Sequence, residues 1–131
     1  AILFRRSLIE RINFLNSQYF AYFEETEACI RVKKIGFKIL CVPSSKIWHK
    51  ISQSSRKSGS HIYYLNRNRF IFIKNNSKNF NKIVFLLYFV IFKIPIDTFV
   101  LFLNNHKLLI KQYYKGVFDG IKLFLGLNEY Q

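Results

Sequence analysis

The chain has 131 residues and a formal net charge of +14, and its length allows one domain at most. It contains no Met, which predicts that it begins inside a longer reading frame. Cys29 and Cys41 favour reduced, buried thiols in a cytosolic protein over a disulfide framework, and no Cys or His cluster of the zinc type is present. Three of the five Glu residues nevertheless cluster at Glu24, Glu25 and Glu27.

The N-terminal part predicts one short helix followed by an aromatic segment. Ser7-Leu8-Ile9-Glu10 matches a capping box, which indicates a short helix from Leu8 to Ile12. The stretch 14–23 is rich in Phe and Tyr and leads directly into the acidic cluster. Burial in a core is the expected role of most of these rings.

The acidic cluster marks the start of a second predicted helix. Glu24 and Glu25 stand where free backbone N–H groups and the helix dipole favour negative charge, by about 0.3–1 kcal/mol each. Gly36 is a typical residue for the position just after the helix end. One apolar face of this helix comprises Ala28, Val32 and Ile35.

The next segment predicts a strand and then a loop. Residues 37–42 are mostly apolar and end at Pro43, which indicates a buried strand. Residues 44–60 are rich in Ser and basic residues and predict a mobile loop that contains Trp48 and His49.

Residues 61–82 alternate aromatic and basic side chains. Such interleaving suits stacking on single-stranded nucleic acid, but the glycines of an RNP1 pattern are missing. Anionic lipid head groups or a diphosphate ligand account for the charge equally well. The segment is therefore interpreted as a basic helix at a membrane surface.

Residues 83–103 form the most hydrophobic segment, long enough as a helix to cover roughly 32 Å. Lys93, Pro95 and Asp97 interrupt it, and the summed insertion free energy is about zero. Lys residues flank both ends, and positive flanks prefer the cytoplasm. We therefore expect an in-plane or re-entrant hairpin that bends at 93–97, with a soluble helical hairpin as the alternative, and a last amphipathic helix from Lys107.

Several motifs together resemble the C-terminal half of family 2 glycosyltransferases, particularly the rhamnosyltransferase-like bacterial members. Three residues depart from the family pattern: Glu25 and Glu27 stand where Asp is more common, and Asn13 stands where Gly is common. The matching residues are Leu3–Ser7, Phe23–Arg31, Gly36–Ile39, Val42-Pro43, His49, Tyr63-Tyr64, Arg67-Asn68, Gly116–Gly120 and Gly126.

The resemblance implies an α/β fold, the acceptor-side part of a GT-A glycosyltransferase followed by a mainly helical hydrophobic tail. Residues 1–60 would be the acceptor-side part of the catalytic domain, and residues 61–131 the basic helices and the membrane-associating tail. In this family the donor half, with its Asp-x-Asp motif, precedes such a segment. We therefore expect the 131 residues alone to be inactive.

The resemblance also implies the chemistry: inverting transfer of a sugar from a nucleotide-sugar donor to an acceptor hydroxyl in bacterial cell-surface polysaccharide synthesis. A hydroxyl is a weak nucleophile, so a carboxylate must take its proton; Glu25 is the candidate, with Glu24 as the alternative. A divalent cation, Mn²⁺ or Mg²⁺, would neutralise the leaving diphosphate, with His49 as a metal ligand. The acceptor-binding candidates are Tyr22, Arg31 and Trp48.

The expected partners are a nucleotide-diphosphate sugar, a glycan or lipid-linked glycan acceptor, and a membrane surface, with no nucleic acid. The expected location is the cytoplasmic face of the membrane, peripheral or monotopic. The competing class is a non-catalytic basic module that attaches to membrane or nucleic acid. The spacing from Glu24 to Gly36, Pro43 and His49 favours the enzyme, because an attachment module has no need of it.

Overall fold

The computed structural model describes residues 2–12, 15–48, 59–104 and 107–127. These ranges contain five α-helices and one short 3-10 turn, Ser17–Tyr19. The helices are α1 (Arg6–Ile12), α2 (Glu24–Lys34), α3 (Ser60–Asn76), α4 (Asn79–Leu103) and α5 (Lys107–Leu125).

The expected α/β fold is wrong, because the described ranges are helical and contain no strand or sheet. Residues 37–42, predicted as a buried strand, have no regular structure and are largely exposed, Leu40 to 81%. A strand is stable only when a neighbouring strand accepts and donates its backbone hydrogen bonds. No such neighbour lies within the described ranges.

Helices α1 and α2 pack together through a small apolar cluster. Leu8 and Ile12 of α1 meet Ala28 and Val32 of α2, and all four are buried. The short α1 helix is therefore confirmed, but it begins at Arg6. Ser7 consequently lies inside the helix and is not its N-cap, so the predicted capping box is wrong.

Helix α2 begins and ends as the sequence predicts. Glu24 and Glu25 occupy its first turn, and Gly36 follows its end with φ of +84°. The Phe37 N–H donates to Val32 O at 3.2 Å, and the Gly36 N–H donates to Lys33 O at 3.0 Å. These two hydrogen bonds form a Schellman motif, which satisfies carbonyls that the helix end leaves without partners.

Helices α3 and α5 run parallel and approach closely because α5 carries two glycines one turn apart. A Cβ at Gly116 would lie 2.5 Å from Tyr63 O, and a Cβ at Gly120 would lie 3.1 Å from Arg67 Cα and O. Small residues at this spacing let two helix backbones come into direct contact. The Tyr63 hydroxyl and Asp119 Oδ2, 2.8 Å apart, add a hydrogen bond beside the contact.

Helix α4 returns antiparallel along the α3–α5 pair. The Phe70 ring of α3 contacts the rings of Phe85 and Phe89 with centroids 5.4 and 4.8 Å apart. Tyr113 and Val117 of α5 complete this buried cluster. Aromatic packing of this edge-to-face kind holds the three helices together.

The expected hairpin bend at 93–97 is wrong, because α4 is continuous through this segment. One π turn, Phe89–Lys93, interrupts the α pattern, and the Ile94 N–H donates to Phe89 O, five residues back. Pro95 has no N–H and its ring crowds the preceding turn, which a local π turn accommodates. Lys93 Nζ and Asp97 Oδ1 pair at 2.7 Å within the helix.

The segment predicted as one basic surface helix, residues 61–82, is also different in the structure. It comprises α3 and the first turn of α4, separated at Ser77–Lys78. The middle of α3 is buried, including Arg67 and Asn68. Composition indicated a charged helix but could not show that its central polar residues face inward.

Opposite faces of α3 carry different neighbours. Phe70 faces α4 and α5, whereas Ile71 and Phe72 pack with Tyr19 and Phe23 of the segment before α2. Residues two apart on a helix point roughly 200° apart. Helix α4 and the segment leading into α2 therefore lie on opposite sides of α3.

Gly116→Ala tests the close approach of α3 and α5. Alanine has the better helix propensity by about 1 kcal/mol, but its Cβ would meet the backbone of Tyr63, so we expect a net loss of about 1–3 kcal/mol in the free energy of unfolding. Urea denaturation measures it. Lys111→Ala, an exposed change on the same helix, should stay within about 0.5 kcal/mol of the parent. A Gly116→Ala variant as stable as the parent would contradict this packing.

Candidate functional site

The segment from Asn16 to Phe23 forms a tight, irregular turn directly before the acidic cluster. Asn16 begins it, since its Oδ1 accepts from the Gln18 N–H at 3.0 Å. Phe20, Tyr22 and Phe23 have φ of +59°, +66° and +72°. Side chains with a Cβ adopt such left-handed backbone at a cost of about 1–2 kcal/mol per residue. Some other interaction must therefore hold this turn, which we call the aromatic turn.

Arg67 and Asn68 of α3 provide that interaction. Asn68 is fully buried, and its Nδ2 lies 2.6 Å from Tyr19 O, 2.5 Å from Ala21 O and 3.0 Å from Tyr22 O. Arg67 donates to Gln18 O at 3.1 Å and to Asn68 Oδ1 at 3.0 Å. The two N–H groups of Asn68 are thus shared among three carbonyls of the aromatic turn, and Arg67 donates to a fourth. Polar groups that are buried or partly buried require such partners.

Tyr19 anchors the same turn from inside. It is fully buried against Ile71 and Leu123. Burial raises the pKa of Tyr19 to about 12, and the carboxylate of Glu27 contributes in the same direction. The phenol is therefore neutral at physiological pH, which suits a structural role and not acid–base chemistry.

The three clustered Glu residues have three different environments. Glu25 is exposed, whereas Glu24 is partly buried and its Oε2 has no hydrogen-bond partner among the described residues. Glu27 is buried, and its two carboxylate oxygens share the N–H of Arg31 Nε, at 2.8 and 3.0 Å. Only Glu24 and Glu25 remain candidates for chemistry, because Glu27 is committed to its ion pair.

The three predicted acceptor-binding residues have different environments. Arg31 bonds both Glu27 and the backbone carbonyl of Ile12 and lines a cavity of about 420 Å³ beside Asn16. Tyr22 is 39% exposed on the aromatic turn, and Trp48 is 89% exposed at the end of an irregular segment. Arg31 is thus engaged in structure, while Tyr22 and Trp48 are accessible.

The predicted metal ligand, His49, lies outside the described residues. Among the residues that are described, no group of three or more His, Cys, Asp or Glu side chains comes together. These residues therefore supply no complete ligand set, and the divalent cation stays a prediction. Both Cys are free thiols, as predicted, but neither is buried: Cys29 is partly exposed and Cys41 is exposed.

An open groove of about 750 Å³ lies between the aromatic turn and α3. The rings of Phe20 and Tyr64 stand side by side at its rim with centroids 4.9 Å apart, and Phe20 is 77% exposed. Polar groups of the turn line the other side. The lining residues are Asn16, Ser17, Gln18, Phe20, Tyr63, Tyr64 and Arg67.

Arg67 and Asn68 match the family motif in the sequence, but their burial and their contacts with the aromatic turn were not predicted. One signal was available. Tyr64, Asn68 and Ile71 are spaced four and three residues apart, which places them on one helical face. An Asn between two large apolar residues on such a face predicts a buried amide that needs backbone partners.

Comparison of the chain with protein-family models, with curated proteins and with solved structures finds no match.

Asn68→Ala tests the role of the buried amide. It leaves several buried carbonyls without donors, at about 1–3 kcal/mol for each group left unsatisfied, so we expect the free energy of unfolding to fall by about 2–4 kcal/mol. Urea denaturation followed by circular dichroism measures the loss. Asn76→Ala is the matched control, because its amide bonds only Phe72 O of its own helix, at 3.1 Å. Equal effects of the two substitutions would contradict the role assigned to Asn68.

Proposed function

We propose that this chain is the acceptor-side part of a sugar transferase similar to family 2 glycosyltransferases, with Glu25 as the general base. The observation that carries the proposal is the convergence of motif residues from distant parts of the chain. Gly116 lies against Tyr63 and Gly120 lies against Arg67. The Tyr63 hydroxyl also lies 2.8 Å from Asp119 Oδ2. These contacts bring two separate parts of the resemblance to one place in the structure.

The strained turn supports an active role over a purely attaching one. Left-handed backbone at three aromatic residues costs stability, and hydrogen bonds from Arg67 and Asn68 together with the burial of Tyr19 offset that cost. A module that only adheres to a surface gains nothing from this arrangement. A transferase gains a fixed approach to the carboxylates at the start of α2.

The groove fits an acceptor glycan by size and chemistry. Its volume of about 750 Å³ is within the range of small-molecule sites. The exposed ring of Phe20 and the neighbouring ring of Tyr64 offer flat apolar faces to the C–H face of a sugar. Asn16, Ser17 and Gln18 offer hydrogen-bonding groups to its hydroxyls.

The proposed reaction is a single displacement with inversion. The acceptor oxygen forms a bond to the anomeric carbon as the bond from that carbon to the diphosphate oxygen breaks. The acceptor proton passes to the carboxylate of Glu25, which is exposed and therefore accessible to a hydroxyl. The nucleoside diphosphate leaves with the electron pair, and a divalent cation would supply charge neutralisation there.

Glu25→Gln in the full-length protein tests the base. We expect kcat to fall by about 10²–10⁴ with little change in donor affinity, because only proton removal is lost. Steady-state sugar transfer measures it, and Glu10→Gln, an exposed change on α1, should leave kcat unchanged. A larger loss with Glu24→Gln would reverse the assignment. If neither substitution lowers kcat, the two Glu residues only stabilise the start of α2.

His49→Ala tests the metal ligand. We expect the Mn²⁺ concentration for half-maximal activity to rise at least about tenfold, as for loss of one ligand, without loss of helical content. Metal titration of sugar transfer measures it, and His61→Ala on α3 serves as the comparison. Full activity of the parent protein in chelator would contradict a cation in the reaction.

A further inference from the structure

The outer side of α4 is apolar and exposed from one end of the helix to the other. By length and composition, α4 is long and apolar enough to cross a membrane, and little of it is buried. After Lys82 its charged residues are Lys93 and Asp97, which pair with each other at 2.7 Å and are both partly covered. The exposed apolar side chains along it include Phe80, Leu87, Ile91, Ile96, Phe99 and Leu103.

Packing against α3 and α5 argues against a transmembrane orientation. The guanidinium of Arg69 lies 5.6 Å from the centre of the Phe89 ring, close to the middle of α4. Near its other end, Thr98 Oγ1 and Tyr114 OH are 2.8 Å apart. A spanning α4 would therefore carry α3, α5 and their charges into the hydrocarbon, with Arg69 near the centre, where a charge is most costly.

The charges around α4 indicate what covers its outer face. Lys78 and Lys82 lie at one end of the helix, and Lys107 and Lys111 lie just beyond the other end. With a net charge of +14, the chain complements an anionic surface, and each Lys near such a surface contributes about 1 kcal/mol. A second copy of so basic a chain would add like-charge repulsion to the contact, whereas an anionic surface adds attraction.

We propose that α4 lies in the plane of an anionic membrane, with its outer face inserted at the boundary between head groups and acyl chains. An interfacial helix of this kind buries one side by about 5–10 Å and keeps the other in contact with the protein. The aromatic turn lies on the opposite side of α3 from α4 and therefore faces the water. This attachment rests on α4 and the charges around it and does not depend on the proposed sugar transfer.

Vesicle sedimentation of the full-length protein tests the attachment. We expect binding to vesicles that contain phosphatidylglycerol to be about tenfold or more tighter than to pure phosphatidylcholine, and to weaken as salt rises. The double variant Leu87→Asp, Phe99→Asp should bind about a hundredfold more weakly, because two inserted side chains are lost. Leu40→Asp, Val42→Asp is the matched control, because both positions are exposed but lie outside α4. It changes the net charge equally, so its binding should fall far less than that of the α4 variant.

Depth-dependent quenching by brominated lipids tests the orientation. Single Trp residues are placed in a Trp48→Phe background by Phe80→Trp, Ile91→Trp and Leu103→Trp. An in-plane helix predicts equal, shallow depths for all three, whereas a spanning helix predicts that position 91 is the deepest. The spanning pattern, an absence of vesicle binding at every salt concentration, or a soluble dimer abolished by the Leu87 and Phe99 substitutions would each overturn the proposal.

Discussion

The buried amide of Asn68 is the constraint on which the rest of the described structure depends. A turn with three left-handed aromatic residues is unfavourable by itself, and its carbonyls would be unsatisfied once buried. Asn68 and Arg67 supply the missing donors from α3. The position of α2, and hence of Glu24 and Glu25, follows from where α3 holds this turn.

The two glycines of α5, Gly116 and Gly120, fix the position of α3 itself. Gly116 and Gly120 have no Cβ, so the backbone of α3 can contact α5 directly. Beside this contact, the Phe70 ring of α3 packs against the Phe89 ring of α4. Helix α3 therefore separates two surfaces with different properties. One side holds the aromatic turn with its groove, and the other holds the apolar helix α4.

Local signals in the sequence predicted the local features. The acidic first turn and Gly36 located both ends of α2, because dipole and Schellman effects act within a few residues. The strand at 37–42 was wrong because strand formation depends on a distant partner, which composition does not report. The burial of Arg67 and Asn68 was missed for a related reason: their acceptors lie nearly fifty residues earlier in the chain. Glu24 and Glu25 both lie in the first turn of α2, as the sequence predicts. The sequence pattern does not show that Glu25 is exposed and Glu24 partly buried.

The π turn in α4 has a consequence for how this helix tolerates changes in length. Phe89 and Ile94 are five residues apart, a spacing that in a regular α-helix points side chains in different directions, yet both pack into the same cluster. The wider turn absorbs one residue and so keeps the two halves of α4 in register with α3 and α5. Loss of one residue within 90–92 would convert the π turn to a regular α turn and keep the inward faces of both halves directed at the core. A one-residue deletion elsewhere in α4 would rotate the part of the helix on one side of the deletion by about 100° relative to α3 and α5. That rotation would move the Lys93–Asp97 pair toward solvent or turn exposed apolar side chains toward the core.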